Sequence, residues 1–123
     1  MTLTVQEFQK FPLENRIHHH EKLMKKHVGM IPVILQEKEE KNRKSLQLTN
    51  RKFIVPPTVT FGEFVATVRQ KVSITPDQGL FFFTEKSTIP SMTMSMQELY
   101  DKNQNEDHFL YITVCQESTF GTY

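Results

Sequence analysis

Three consecutive histidines, His18-His19-His20, and one thiol, Cys115, are the side chains here that could hold a metal or attack a carbonyl. On a helix, successive positions point about 100° apart, so three histidines in a row cannot all face one ion. At four-residue spacing His18 meets Lys22 and His20 meets Met24, and neither pair makes a zinc site. The triplet therefore reads as a solvated helix face. Cys115 follows a predicted strand with no nucleophile elbow and no helix start to activate it. As the single cysteine it excludes an internal disulfide and any zinc site built mainly from thiolates. The glycines at 29, 62, 79 and 121 are scattered singly, so no phosphate loop is present and nucleotide chemistry is unsupported. These residues describe a chain that is bound or acted upon, with no catalytic site, metal or cofactor of its own.

Surfaces carry more. Lys52-Phe53-Ile54-Val55 places Lys52 and Ile54 on one face of a strand and Phe53 and Val55 on the other, at an expected sheet edge. An open edge accepts an extended peptide as an added strand, with alternate side chains entering pockets on either side. The same pattern also suits core residues or a short, protected edge. Residues 1–52 hold eleven basic and six acidic side chains, net +5, and residues 53–123 hold four and eight, net −4, so the halves differ by nine units. That asymmetry fits two ordinary solvated surfaces, or a basic face for acidic peptides, tubulin-like tails or anionic lipid. No nucleic-acid partner is implied. The tail Glu117-Ser118-Thr119-Phe120-Gly121-Thr122-Tyr123 is polar, with the flexibility usual at a terminus.

The elements that must position these residues fit one domain: 123 residues, 37% hydrophobic and 24% charged. No apolar run nears the roughly 20 residues of a membrane helix, and Met1–Phe11 lacks a secretory signal pattern, so a soluble, cytosolic start is expected. Val5, Phe8 and Phe11 recur at three, predicting a small helix that stops before Pro12. Leu13 to His27 reads as a surface helix ended by Gly29. Met30 to Leu35 is a strand in which Pro32 demands an edge, a start or a bulge. Glu37 to Lys44 is a charged turn, and Lys52 to Val55 closes a hairpin before Pro56-Pro57. Thr60-Phe61-Gly62-Glu63 is a capping box opening a helix whose Phe61, Phe64, Val65, Val68 and Val72 form one face. Leu80-Phe81-Phe82-Phe83 suits a strand buried on both faces. Ser95-Met96-Gln97-Glu98 repeats the capping box before a short helix, and Phe109 to Val114 is the last strand. Two strands, a crossing helix and two more strands is the order of a ubiquitin-like β-grasp, an α+β fold with two additional N-terminal helices; a ferredoxin-like fold shares the spacing.

Motifs in fixed order add to this reading. Glu21-Lys22 with Lys25-Lys26, Ile31-Pro32-Val33-Ile34 and Arg51-Lys52-Phe53-Ile54-Val55-Pro56 come first; Thr60, Gly62, Phe64, Val68-Arg69 and Leu80-Phe81-Phe82-Phe83 follow. Met96, Leu99-Tyr100, Glu106-Asp107, Phe109-Leu110-Tyr111 and Thr119-Phe120-Gly121 complete the series. From about Pro12 to Gly121 the chain resembles the autophagy-related protein 8 family of ubiquitin-like modifiers, which includes GABARAP and microtubule-associated protein light chain 3.

The resemblance implies an N-terminal helical extension (1–28), a ubiquitin-like core (29–116) and a tail (117–123) cut after Gly121 by a family-specific cysteine protease. Gly121 would then pass through activating and conjugating enzymes to phosphatidylethanolamine, with no enzymatic activity in the chain itself. It also implies a groove for cargo receptors carrying aromatic-x-x-aliphatic motifs. Leu23, Pro32, Lys52, Ile54 and Phe109 would line a first pocket for the aromatic. Phe53, Val55, Pro56, Val59, Phe64 and Val68 would line a second for the aliphatic, and Arg51, Lys52 and Lys71 would meet acidic neighbours. Cytoplasm, autophagosome membrane and cytoplasmic vesicles are the implied locations. The departures concern partner choice: His19 stands beside the first pocket where relatives often carry an acid, Met30 where many carry a base, and Thr67 where a larger apolar residue is expected. The loop Glu37 to Ser45 is slightly longer than in the GABARAP branch. The alternative is an unconjugated cytoskeletal or trafficking adaptor binding tubulin through basic N-terminal helices.

Overall fold

The computed structural model describes residues 8–37, 51–72 and 79–117. Phe8 and Gln9 are helical, the described part of the small helix expected before Pro12. Then come α1 (Leu13–Lys26), β1 (Ile31–Glu37), β2 (Lys52–Val55), α2 (Phe61–Lys71), β3 (Gly79–Thr84), α3 (Met96–Asn103) and β4 (Leu110–Glu117). The strands form one sheet in the order β2-β1-β4-β3. β1 and β4 run parallel at its centre, and each pairs antiparallel with its own edge strand. This is the ubiquitin-like arrangement, and it removes the ferredoxin-like alternative.

Local chemistry explains the element ends. The Thr60 hydroxyl accepts from the Glu63 amide at 3.1 Å and the Glu63 carboxylate accepts from the Thr60 amide at 3.3 Å, a complete capping box. At α3 only half of the expected box forms. Ser95 Oγ accepts from the Glu98 amide, whereas the Glu98 carboxylate pairs one turn on with Lys102 at 3.2 Å. Gly29, at φ +78°, turns the chain from α1 into β1. Gly62 donates to the Met92 carbonyl at 2.9 Å, and a Cβ there would lie 3.0 Å from that oxygen.

Pro32 sits where its missing amide does no harm. The Leu35 amide donates to the Arg51 carbonyl beside β2, so alternate residues of β1, Pro32 included, aim toward β4. Pairing with β4 begins only at Val33. Of the charged run Glu37 to Lys44, Glu37 ends β1 and the remainder lies outside the described residues.

The sheet is covered unequally. On one face Ile31, Val33, Leu35, Val55, Leu110, Ile112 and Val114 pack against Phe61, Phe64, Val65 and Val68 of α2 and Met96 and Leu99 of α3. On the other, Ile34, Phe109 and Tyr111 form a smaller cluster with Phe8 and Leu23. α1 lies over that face with no fully buried residue, as its sparse apolar positions require. The run Leu80–Phe83 is not buried on both faces. β3 is an edge strand in which Phe82 enters the core while Phe81 stays 37% exposed. A continuous apolar run does not distinguish a central strand from an edge whose outer face keeps its aromatics.

Candidate functional site

β2 is the other edge, with β1 on one side and, among the described residues, no strand beyond it. The pairings Pro32↔Ile54 and Ile34↔Lys52 put these four side chains on the α1 face. Val33↔Phe53 and Ile31↔Val55 put theirs on the α2 face. The free edge therefore runs between two apolar strips, one facing each helix.

On the α1 side, Phe109 is buried and Leu23 packs against its cluster, with Pro32 and Ile54 on the adjoining sheet surface. The Lys52 ammonium lies 3.2 Å from His19 Nε2, so a neutral His19 accepts from it. Burial holds the His19 pKa below its ordinary value, and Lys52, Lys22 and His18 depress it further. Burial likewise lowers Lys52. The strip is already occupied in part: Phe8 lies beneath Lys52 Nζ, 5.1 Å from its ring centroid, and edge-on to Phe109 at 5.6 Å and His19 at 5.5 Å.

A buried carboxylate fixes this side. Asp107, 0% exposed, accepts from Arg16 Nη1 at 2.8 Å and from the Phe109 amide at 2.9 Å, and Tyr111 donates a short bond to it. Arg16 belongs to α1 and Tyr111 to β4, so one carboxylate ties helix to sheet. Burial, then the bond to Asp107, holds the Tyr111 hydroxyl far above its ordinary pKa. Asp107 and Arg16 were not among the candidate site residues, because a lone Asp before a strand and one Arg among many helix charges carry no sequence signal of pairing across 91 positions.

On the α2 side, Phe53 meets Phe64 edge-on at 5.4 Å, with Val55, Phe64 and Val68 buried beneath and Val59 half-buried beside them. Pro56 is exposed at the end of β2. Lys71 Nζ lies 5.5 Å over the Phe53 ring, so Lys71 and Lys52 stand on opposite sides of the edge strand. Arg51, half-buried, precedes the strand. Thr67 points outward and returns its hydroxyl to the Glu63 carbonyl at 3.1 Å. Half-buried Met30 leads into β1, and Gly121 and Thr122 lie outside the described residues.

The histidine triplet is not one solvated face. His18 and His19 are exposed, the His19 ring resting against Phe8, whereas His20 is half-buried and packs edge-on against Phe109 at 5.4 Å with His108 at the same distance. Among the described residues, no three His, Cys, Asp or Glu side chains come together as a metal site.

Comparison with known proteins places this geometry. The family model described as "Autophagy protein Atg8 ubiquitin like" matches residues 15–121. Autophagy-related protein 8A of rice (Oryza sativa subsp. indica) is 33% identical over 111 residues, covering 90% of this chain and 91% of the rice protein. Autophagy-related protein 8c of Arabidopsis thaliana is 34% identical over 110 residues, covering 89% and 90%. The crystal structure of Trypanosoma brucei ATG8 superposes with a TM-score of 0.77 at 28% identity, covering 98% of this chain and all of that one. Plasmodium falciparum Atg8, solved in complex with a P. falciparum Atg3 peptide, gives 0.73 at 23% identity over 90% and 93% of the two chains. With most of its length matched, and a mixed four-stranded sheet of the same topology, the chain belongs to the Atg8 family of ubiquitin-like autophagy proteins.

Proposed function

We propose that this protein is a conjugated modifier and adaptor of autophagy and not itself an enzyme. Hydrolysis of the Gly121–Thr122 bond frees the Gly121 carboxylate, which is activated, carried as a thioester and joined as an amide to the amine of phosphatidylethanolamine. A glycine suits that path, because no side chain obstructs narrow enzyme clefts. Two acyl chains, at about 0.8 kcal/mol per buried CH₂, hold the product on autophagosome and vesicle membranes. The observation that supports the binding half is the free edge of β2 between two apolar strips, with Lys52 on one side and Lys71 on the other. Cargo receptors would add a strand there, the aromatic of an aromatic-x-x-aliphatic motif entering beside Phe109 and the aliphatic beside Phe53. That the P. falciparum relative is solved with an Atg3 peptide agrees with a peptide-accepting surface.

Reconstitution with the processing protease, activating and conjugating enzymes and phosphatidylethanolamine liposomes tests the conjugation half. The expected product has lost Thr122 and Tyr123 and gained the lipid mass, and an unchanged C-terminus rules the reading out. The exposed Lys22, Lys25 and Lys26 of α1 favour one second reading, an unconjugated adaptor for acidic tubulin tails. Gly121→Ala separates the two: membrane puncta vanish under the first and persist under the second.

A further inference from the structure

We propose that Phe8 is a resident occupant of the first pocket, an internal aromatic that a partner's aromatic must displace. The inference rests on the groove reading above and concerns what the groove holds when no partner is bound. Phe8 is 4% exposed, whereas Phe11, in the same short segment, is 41% exposed, so burial here is selective. Its ring meets Phe109 and His19 and lies under the Lys52 ammonium. Leu23 packs against the same cluster. Leu23, Lys52 and Phe109 are three of the five residues proposed to receive an aromatic from outside. An edge-to-face ring contact and a cation over a ring face are the contacts by which such a pocket would hold a partner's ring. Two rings cannot use the same groups at once.

The segment is arranged to leave. The Phe11 amide closes a local turn on the Phe8 carbonyl at 3.1 Å, and Pro12, at ψ 147°, breaks the chain from α1. Phe8 can therefore swing away without unwinding the helix, which the Arg16–Asp107 pair holds to the body. Lys52 links the exchange to charge. An acidic residue beside the incoming aromatic draws the ammonium off the Phe8 ring, so it both pairs with Lys52 and loosens the occupant. Apparent affinity is then the intrinsic affinity reduced by the fraction of molecules whose pocket is vacant.

Two measurements on the full chain test this. The first titrates a fluorescein-labelled acidic heptapeptide, Trp fourth and Leu seventh, into the parent protein and Phe8→Ala. With the occupant removed, binding tightens by about tenfold, the factor for a pocket vacant in roughly one molecule in ten. The second uses Phe8→Trp, which introduces the sole tryptophan of the chain. Its emission is that of a shielded indole with weak acrylamide quenching. A heptapeptide with Phe in place of Trp, silent at this wavelength, shifts the emission to the red and raises quenching as it binds. Equal affinity of Phe8→Ala and the parent overturns the proposal, as does an unshifted Trp signal while calorimetry shows the peptide bound. Absence of peptide binding to the parent and Phe8→Ala alike, with the indole still shielded, overturns the groove reading and the displacement with it.

Discussion

On the α2 side of β2, Phe53 and Val55 back onto the main core, where α2 and α3 together cover the sheet. On the α1 side, Lys52 and Ile54 look toward a thin layer whose buried cluster is Phe8, Ile34, Phe109 and Tyr111. The first side is held by apolar area. The second is held by one carboxylate joining Arg16, Tyr111 and the Phe109 amide, with a ring from outside the helix filling what remains. A surface built on a continuous core keeps its shape, whereas one built on a tether and a removable ring can change occupant. The two pockets proposed along one strand edge thus stand on supports of different stiffness.

The comparison breaks most forcefully at the core. Phe61→Ala, at a 0% exposed position, is expected to cost about 4 kcal/mol in urea unfolding and to weaken both sides alike. Asp107→Ala should cost roughly 3 kcal/mol, because it strands the Arg16 charge and the Tyr111 hydroxyl together. Its signature is selective: hydrogen exchange speeds in α1 first, while α2 and α3 keep their protection. Equal acceleration everywhere would remove the distinction between the two sides. Thr60→Ala, which deletes a complete capping box, should cost about 1 kcal/mol and Ser95→Ala less, since only half a box is lost there.

The smallest effect is on pH. His19 and His20 both have pKa values lowered first by burial, then by Lys52, Lys22 and His18 around His19 and by His108 beside His20, where Asp107 and Glu21 act in the opposite sense. The unfolded chain therefore binds protons at these sites before the folded one does. Stability from them is present above the ordinary histidine pKa of about 6.5 and is lost as pH falls through the lowered folded values. Melting temperature should decline from pH 7.5 to pH 5, and His19→Gln with His20→Gln should flatten that decline. An unaltered slope would show that the α1 side does not respond to acid through these rings.

What the residues carry locally was legible from their order. Thr60 with Glu63 announces a helix start, Gly29 a helix end, and the alternation of Lys52 to Val55 a strand with two faces, because caps and pleats are set within a few positions. The motif series from Ile31 to Gly121 located the family and with it the expected groove. Continuous apolarity misplaced Leu80–Phe83, since hydrophobicity alone does not say whether a neighbouring strand exists on each side. Nor did helical spacing show that the exposed His19 ring rests against Phe8 or that His20 is half-buried against Phe109.

The sequence by itself determined the elements, the helix starts at Thr60 and Ser95 and the side chains that β2 offers each way, for all of these follow from local spacing and periodicity, whereas the place of β2 at the sheet edge came from the strand order. Only the tertiary structure decided that Asp107 would gather Arg16 and Tyr111, that Lys71 and Lys52 would stand on opposite sides of one strand, and that Phe8 would lie among Leu23, Lys52 and Phe109. The physical reason is distance along the chain. A buried charge and a ring need partners from whatever segments the fold brings near, and no local pattern records which segments those are.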